Sequence, residues 1–295
     1  MHRLLPYFLI LTLALSSCTS LRYAGVNRVR DYNISSPDVP EAFDGYRIAF
    51  ASDFHLKSKF KERQLHGTVK ALQAAAPDIL LLGGDYQEGC EYVEPLFAEL
   101  GSVVTPDGTY AVLGNNDYER CTELIRSEMQ KQGITLLEDT AAIIARGNDS
   151  ITLWGANAYA GHYPTAPKRN SIDNKNRHRE SGYGDIPPGI INHKPEIINS
   201  TDFVILLTHT PDYVEDADIS GVDLALAGHT HGGQVTLFGL YAPITSSKYG
   251  KLFRTGLRYN SQDIPVIISG GLGTSRRNIR FCAPTDIIIV TLRCK

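Results

Sequence analysis

The sequence lacks any excess of positive charge: 29 Lys and Arg stand against 32 Asp and Glu, a formal net charge of −3 over 295 residues. A protein that grips a nucleic-acid backbone with one broad face needs a basic balance, so nucleic acid is not expected as the partner. Whatever draws an anionic substrate must be local. Cysteines number only five, and none follows the spacing of a cysteine zinc site. No segment repeats. With 42% hydrophobic and 21% charged residues, the chain suits a globular protein with a substantial core and one large domain.

The N-terminal apolar run is also too short to span a bilayer. Leu4 to Leu15 is mostly apolar, whereas a membrane helix needs about 20 such residues. What stands there instead is a targeting pattern: a basic start at Met1-His2-Arg3, the apolar stretch, then small Ser16-Ser17 before Cys18. Leu15-Ser16-Ser17-Cys18 resembles the lipobox of bacterial lipoproteins. The resemblance implies a signal peptide over residues 1–17, lipidation of Cys18 and a lipid-anchored lead-in over 18–42. It also implies export, with the protein held on a bacterial membrane facing the extracytoplasmic space. In that compartment disulfides form, so Cys90, Cys121, Cys282 and Cys294 either pair, in one of three ways, or remain buried thiols.

Five short apolar runs bounded by Gly, Asp, Asn or Pro read as buried strands of an α/β sheet. Arg47–Ala51 leads into Asp53 and His55, Ile79–Leu82 into Asp85, and Tyr110–Leu113 into Asn115, Asn116 and Asp117. Phe203–Leu207 leads into His209, and Leu224–Ala227 into His229 and His231. Helical stretches lie between the first runs: Leu65, Val69, Leu72 and Ala76 share one face, and Thr122–Gln132 stops at Gly133. In open α/β sheets ligands bind beyond the carboxyl ends of the strands, so these polar residues should meet on one rim.

The second half is richer in strands. Ala141–Ala145 and Ile151–Gly155 form an expected hairpin across Gly147-Asn148-Asp149, and runs at Val235–Phe238, Val266–Ser269 and Ile287–Leu292 complete an expected second sheet. Residues 159–200 are polar and basic without a period and read as a long surface insertion, either a functional lid or a solvated loop. The single domain is expected over 43–295.

Asp-x-His and Gly-His-x-His each put two ligand side chains on the same side of an extended segment. Asp53, His55, Asp85, Asn115, His209, His229 and His231 together make a mixed oxygen and nitrogen set suited to two divalent ions, manganese, iron or zinc. Two such ions bring four positive charges. Two aspartates and a bridging hydroxide remove three, leaving a centre that attracts phosphate. Glycines at 83, 84, 114, 228, 232 and 233 permit the close backbone approach such a centre needs.

In this order the motifs closely resemble the calcineurin-like metallophosphoesterase superfamily, whose pattern is Asp-x-His, Gly-Asp, Gly-Asn-His-Asp/Glu, His and Gly-His-x-His. Gly228–Gln234 and Gly271–Ser275 further resemble its bacterial YkuE and YaeI-like branch. The resemblance implies a four-layer α/β/β/α sandwich, two mixed sheets between helices. It implies that Asp53, His55, Asp85 and His231 hold one metal, that Asp85 bridges, and that Asn115, His209 and His229 complete the second.

One departure bears on chemistry. Asn116 stands where the family has a histidine, and a neutral amide cannot act as a general acid, although it can donate a hydrogen bond. Asn116 and Asp117 are the candidate catalytic residues, Asp117 by orienting a neighbouring ligand. His162, His178 or His193 is an alternative proton source, and Arg276 and Arg277 are candidate phosphate contacts. The expected activity is hydrolysis of a phosphodiester, phosphomonoester or pyrophosphate, on a lipid-linked or envelope-derived substrate, through a metal-bridged hydroxide. The alternatives are a non-catalytic, metal-loaded phosphate-binding protein and a nuclease, the latter disfavoured by the acidic balance.

Overall fold

The computed structural model describes residues 26, 28–157 and 203–295. The expected signal peptide, Cys18 and the 159–200 insertion with His162, His178 and His193 lie outside the described residues. In chain order the first strands are β1 Arg28–Ser36, β2 Arg47–Ala51, β3 Ile79–Leu82, β4 Thr109–Ala111 and β5 Ile134–Leu136. There follow β6 Thr140–Arg146, β7 Asp149–Ala156, β8 Phe203–Thr208, β9 Leu224–Ala227, β10 Gly256–Tyr259, β11 Pro265–Ile268 and β12 Asp286–Cys294. The helices are α1 Lys59–Ala75, α2 Val93–Gly101, α3 Asn115–Glu119, α4 Thr122–Lys131 and α5 Tyr213–Asp216.

These strands form two six-stranded sheets, ordered β1-β12-β2-β3-β4-β5 and β10-β11-β9-β8-β7-β6. Both are mixed. In the first, β2, β3, β4 and β5 are parallel and β12 runs against β2; in the second, β7, β8, β9 and β11 are parallel with antiparallel β6 and β10 at the edges.

Strand alternation explains the layering. Ile48, Phe50, Ile79 and Leu81 face the second sheet and pack with Leu153, Ile205, Leu207 and Leu226, closing an inter-sheet core. Their neighbours Ala49, Ala51, Leu80 and Leu82 point the other way, onto Leu65, Val69 and Leu72 of α1, Leu96 and Phe97 of α2, and Ile125 and Met129 of α4. Burial on both faces is why these strands read as unbroken apolar runs. On the far side of the second sheet, Trp154, Val204 and Leu206 pack with Tyr213 and Val214 of α5 and with Phe253. Two mixed sheets thus lie between helices, as expected.

Ala76, expected on the helical face, instead takes a left-handed conformation at φ 44° at the C-cap and ends α1, whereas Gly133 at φ 69° follows α4, as its stop signal implied. The hairpin also forms: β6 pairs antiparallel with β7 from Thr140–Gly155 to Arg146–Asp149.

Three expectations need correction. Residues 28–36, expected as lead-in, form β1, which pairs in parallel with β12 along its whole length, so the folded unit begins before residue 43. The run at Ile287–Leu292 belongs to the first sheet, because β12 slots between β1 and β2. Val235–Phe238 forms no sheet strand and makes only isolated bridges, Val235 to Phe281 and Leu237 to Tyr241. The short strands β5 and β10 were not foreseen.

Candidate metal centre

All five expected strand ends reach one rim. Asp53 and His55 follow β2, Asp85 follows β3, Asn115 opens α3 after β4, His209 follows β8, and His229 and His231 follow β9. Backbone bonds cross between the loops and fix their register: Asp53 N–H to Gly84 O at 2.9 Å, His55 N–H to Asp85 O at 3.0 Å, and Gly228 N–H to His209 O at 2.9 Å. The chain turns sharply here. Asp53, His55, Asp85, His229 and His231 all have left-handed backbones, with φ between 41° and 69°. Gly114 and Gly228 are needed for proximity: a Cβ on Gly114 would collide with the Asp85 carboxylate, and one on Gly228 with Ser52 and Asp53.

Two groups result. Ligand atoms of Asp53, His55 and His231 lie within 4.8 Å of one another, and so do those of Asp85, His209 and His229. All six residues are buried. Asp85 lies between the groups, its Oδ2 being 3.2 Å from His55 Nε2 and 3.5 Å from His209 Nε2. Asp53 accepts the His229 backbone N–H at 2.9 and 3.0 Å and the Ser52 hydroxyl at 2.7 Å, which ties the two sheets together at the centre.

Ring orientation follows from the other nitrogen of each histidine. His209 Nδ1 is 2.7 Å from the Gly83 carbonyl, an acceptor, so in the neutral ring Nδ1 carries the proton and Nε2, on the Asp85 side, is left as the ligand atom. His55 Nδ1 is 2.7 Å from Glu88 Oε1, which likewise assigns a lone pair to Nε2 in the neutral ring. His231 Nδ1 faces Arg280 Nη2 at 3.2 Å.

Burial and charge pull these histidines apart. Burial alone would lower His55, but Asp85, Glu88 and Asp53 outweigh it and raise it to about 10. His209 is raised to about 9, where Asp85 overcomes burial in the same way. His229 falls to about 3, through burial and the neighbouring positive charge of His209. His231 falls well below its ordinary value through burial, His55 and Arg280. Burial pushes Asp53 up, whereas the contacts of Asp85 with His209 and His55 overcome its burial and hold it well below the usual range.

Asn115 Oδ1 is buried without a hydrogen-bond partner. The Asn116 backbone N–H donates to Asp85 Oδ1 at 3.0 Å, while its Nδ2 donates to Glu88 Oε1 at 3.3 Å beside His55 Nδ1. Asp117, a candidate for catalysis, does not face the rim. Its Oδ2 accepts the amides of Asp85 and Gly114 at 2.7 and 2.8 Å and its Oδ1 that of Tyr86 at 3.0 Å, so it is a positioning residue. Burial and Asp85 raise its carboxyl to about 7.

Two residues were missed in the sequence. Glu88 orients His55; the bridge between Leu56 and Gln87 runs the two loops in parallel and brings Glu88 beside that histidine. Arg280 donates to five backbone carbonyls, those of His231, Gly270, Gly271, Gly273 and Ala283, at 2.7–3.3 Å and clamps the glycine-rich turn onto the centre. Burial lowers its pKa to about 10, which leaves it charged at neutral pH. Arg276 and Arg277, the arginines singled out from the sequence, are exposed. Cys90, which follows the Asp85 loop, and Cys121, which follows α3, form a disulfide.

The family model for calcineurin-like phosphoesterases matches residues 46–233. The chain is 28% identical over 273 residues to the metallophosphoesterase YkuE of Bacillus subtilis (strain 168), covering 89% of this chain and 84% of that one. It is 30% identical over 216 residues to the phosphodiesterase YaeI of Escherichia coli (strain K12), covering 69% and 68%. Among solved structures, a dimetal phosphatase from Danio rerio superposes at a TM-score of 0.47 with 11% identity, over 78% of this chain and 88% of that one. With five motifs on one rim and a family match across both sheets, the chain belongs to the calcineurin-like phosphoesterase family and is a metal-dependent phosphoesterase.

Proposed function

We propose that the rim holds two divalent cations and that the protein hydrolyses a phosphodiester or pyrophosphate bond whose leaving group departs without a proton from the protein. The observation that carries the reading is Asp85, whose Oδ2 adjoins both side-chain groups. Asp53, His55 and His231 would hold one ion, Asn115, His209 and His229 the other, with Asp85 shared. The residues fit this load. A buried polar atom left unpaired costs about 1–3 kcal/mol, and Asn115 Oδ1 is such an atom at the rim. Oxygen and nitrogen donors without thiolate suit manganese, iron or zinc.

When bound, such a pair supplies Lewis acidity to a phosphoryl oxygen and lowers the pKa of water. The chain's own residues do the rest. Glu88 and the Gly83 carbonyl hold His55 and His209 in the tautomers that present Nε2. Asp117 fixes the Asp85 turn. Asn116 offers only amide protons, which stabilise charge by hydrogen bonding but do not transfer. Aryl diesters and pyrophosphates need no more than this; alkyl monoesters do.

We take the protein to be exported and anchored through a lipid on Cys18, with lipid-linked or envelope phosphates as substrates. The Cys90–Cys121 disulfide supports an oxidising compartment. A second reading, a metal-loaded protein that binds phosphate without turnover, is favoured by Asn116 alone. Metal analysis of purified protein, with hydrolysis of bis(4-nitrophenyl) phosphate, pyrophosphates and alkyl monoesters, separates the two. Two bound ions with turnover lost in Asp85→Asn supports the enzyme, and bound ions with no turnover on any ester supports the binder.

A further inference from the structure

Exposed apolar side chains concentrate in one part of the chain. Among the described residues, ten of thirteen large exposed hydrophobics lie between Val235 and Phe281. Leu240 is 82% exposed, Ile244 70%, Phe238 63% and Leu237 60%. The segments that carry them are joined: Thr236 N–H donates to Phe281 O at 2.9 Å, Phe281 N–H to Gln234 O at 2.9 Å, and Leu237 N–H to Tyr241 O at 2.7 Å. The segments carrying Val235–Tyr241 and Ile279–Phe281 therefore lie side by side next to the metal centre, since Gln234 follows the His231 turn and Arg280 precedes Phe281. Soluble proteins rarely expose such contiguous apolar patches without a partner. Phe238 is moreover held at φ 51°, an uncommon conformation for a bulky residue, at the tip of this face.

Charge selects the partner. Between Leu224 and Thr285 the sequence has seven Lys or Arg and one acidic residue, Asp263; four of the seven, Lys248, Lys251, Arg276 and Arg277, are exposed, and Lys248 pairs with Asp216. Exposed Lys251 lies over the Tyr241 ring at 4.8 Å, and exposed Arg276 and Arg277 border Ile279. Leu and Phe at the tip, an aromatic ring at the margin and cations around it are the distribution of a surface that inserts shallowly into an anionic bilayer.

We propose that this apolar and cationic face docks on an anionic lipid membrane, burying Leu237, Phe238, Leu240 and Ile244 among the acyl chains and turning the metal centre toward the bilayer surface. Docking of this kind is independent of the hydrolytic reading and of the lipid on Cys18, and it makes substrates that lie in the membrane plane the accessible class.

The test uses the full chain carrying Cys18→Ala, so that no covalent lipid contributes, with Leu240→Trp as reporter. The native chain has one tryptophan, Trp154, which is fully buried and gives a constant background. With phosphatidylglycerol vesicles the new emission should shift to shorter wavelength and be quenched by brominated acyl chains, less so with phosphatidylcholine or in high salt. Phe238→Ser together with Leu240→Ser should lower vesicle partitioning by about tenfold per residue. Hydrolysis of a soluble diester should not change. Three outcomes overturn the proposal. Emission unmoved by either vesicle, even if the protein sediments with them, means tethering by the N-terminus alone. Emission already shifted without vesicles at all protein concentrations means that residues 158–202 cover the face. A vesicle-free shift that grows with protein concentration means that a second copy does.

Discussion

Asp117 grips Asp85 by its backbone: Asp117 Oδ2 accepts the Asp85 amide at 2.7 Å and the Gly114 amide at 2.8 Å, which pins the shared aspartate against the helix that carries Asn115. Replacing Asp117 with Asn removes one acceptor and leaves a buried N–H unpaired. Metal affinity should fall about 10–100-fold, as for other residues that orient ligands without touching the ion. Equilibrium dialysis with manganese checks this. Unchanged affinity with slower turnover would instead give Asp117 a direct part in the chemistry.

Glu88 should behave alike through a different ligand. Glu88→Gln weakens the hold on His55 Nδ1, so metal retention should drop by about one order of magnitude. Its second effect is on protonation. With the Glu88 charge gone, His55 should titrate lower in the metal-free protein, an NMR shift that a merely structural defect would not produce.

Metal loading should release protons. In the metal-free protein His55 is raised to about 10 and His209 to about 9, so both rings are charged near pH 7.5, whereas a ligand must be neutral. Apparent metal affinity should therefore climb with pH toward 9–10. Binding heats measured in buffers of different ionisation enthalpy should differ, and identical heats would contradict the assignment. The linked stability has the opposite sign: raised histidine pKa values stabilise the metal-free fold fully below about pH 6.5 and progressively less as pH rises through 9–10. Its melting temperature should decline over that range.

Asn116→His tests the leaving-group argument. In the native protein aryl diesters should be cleaved well ahead of alkyl monoesters. An imidazole at 116 should raise alkyl monoester turnover by at least about tenfold, short of the 10²–10⁴ a well-placed general acid gives. Equal rates on both ester types in the native protein would remove the reason for the proposal.

Reduction of Cys90–Cys121, which spans 31 residues, should cost about 3–4 kcal/mol by the loop-entropy relation. Chemical denaturation with and without reductant measures it.

The buried parallel strands and their terminal ligands were legible because each is written locally: an apolar run, a glycine, then Asp, Asn or His. What escaped was not local. β1 reads as polar because its edge position exposes alternate residues of Arg28–Ser36, and it becomes a strand only through β12, some 250 positions away. Ile287–Leu292 has the composition of a core strand in either sheet, and the choice between them rests on pairing that no pattern encodes. Val235–Phe238 alternates like a strand, yet its apolar side chains face outward, so periodicity identified the face and misjudged its use. Glu88 carries no motif signal, being one acid in an aperiodic loop. Arg280 was passed over for Arg276 and Arg277, because adjacency to a glycine turn does not tell which arginine turns inward.

The left-handed turns at Asp53, His55, Asp85, His229 and His231 set a limit on engineering. Each keeps a non-glycine residue where about 1–2 kcal/mol of steric strain arises, and glycine, the substitution that would relieve it, deletes the ligand. Thermal hardening of this protein must therefore come from the sheets, helices and surface. A variant gaining robustness at those five positions would have surrendered the reason for their shape.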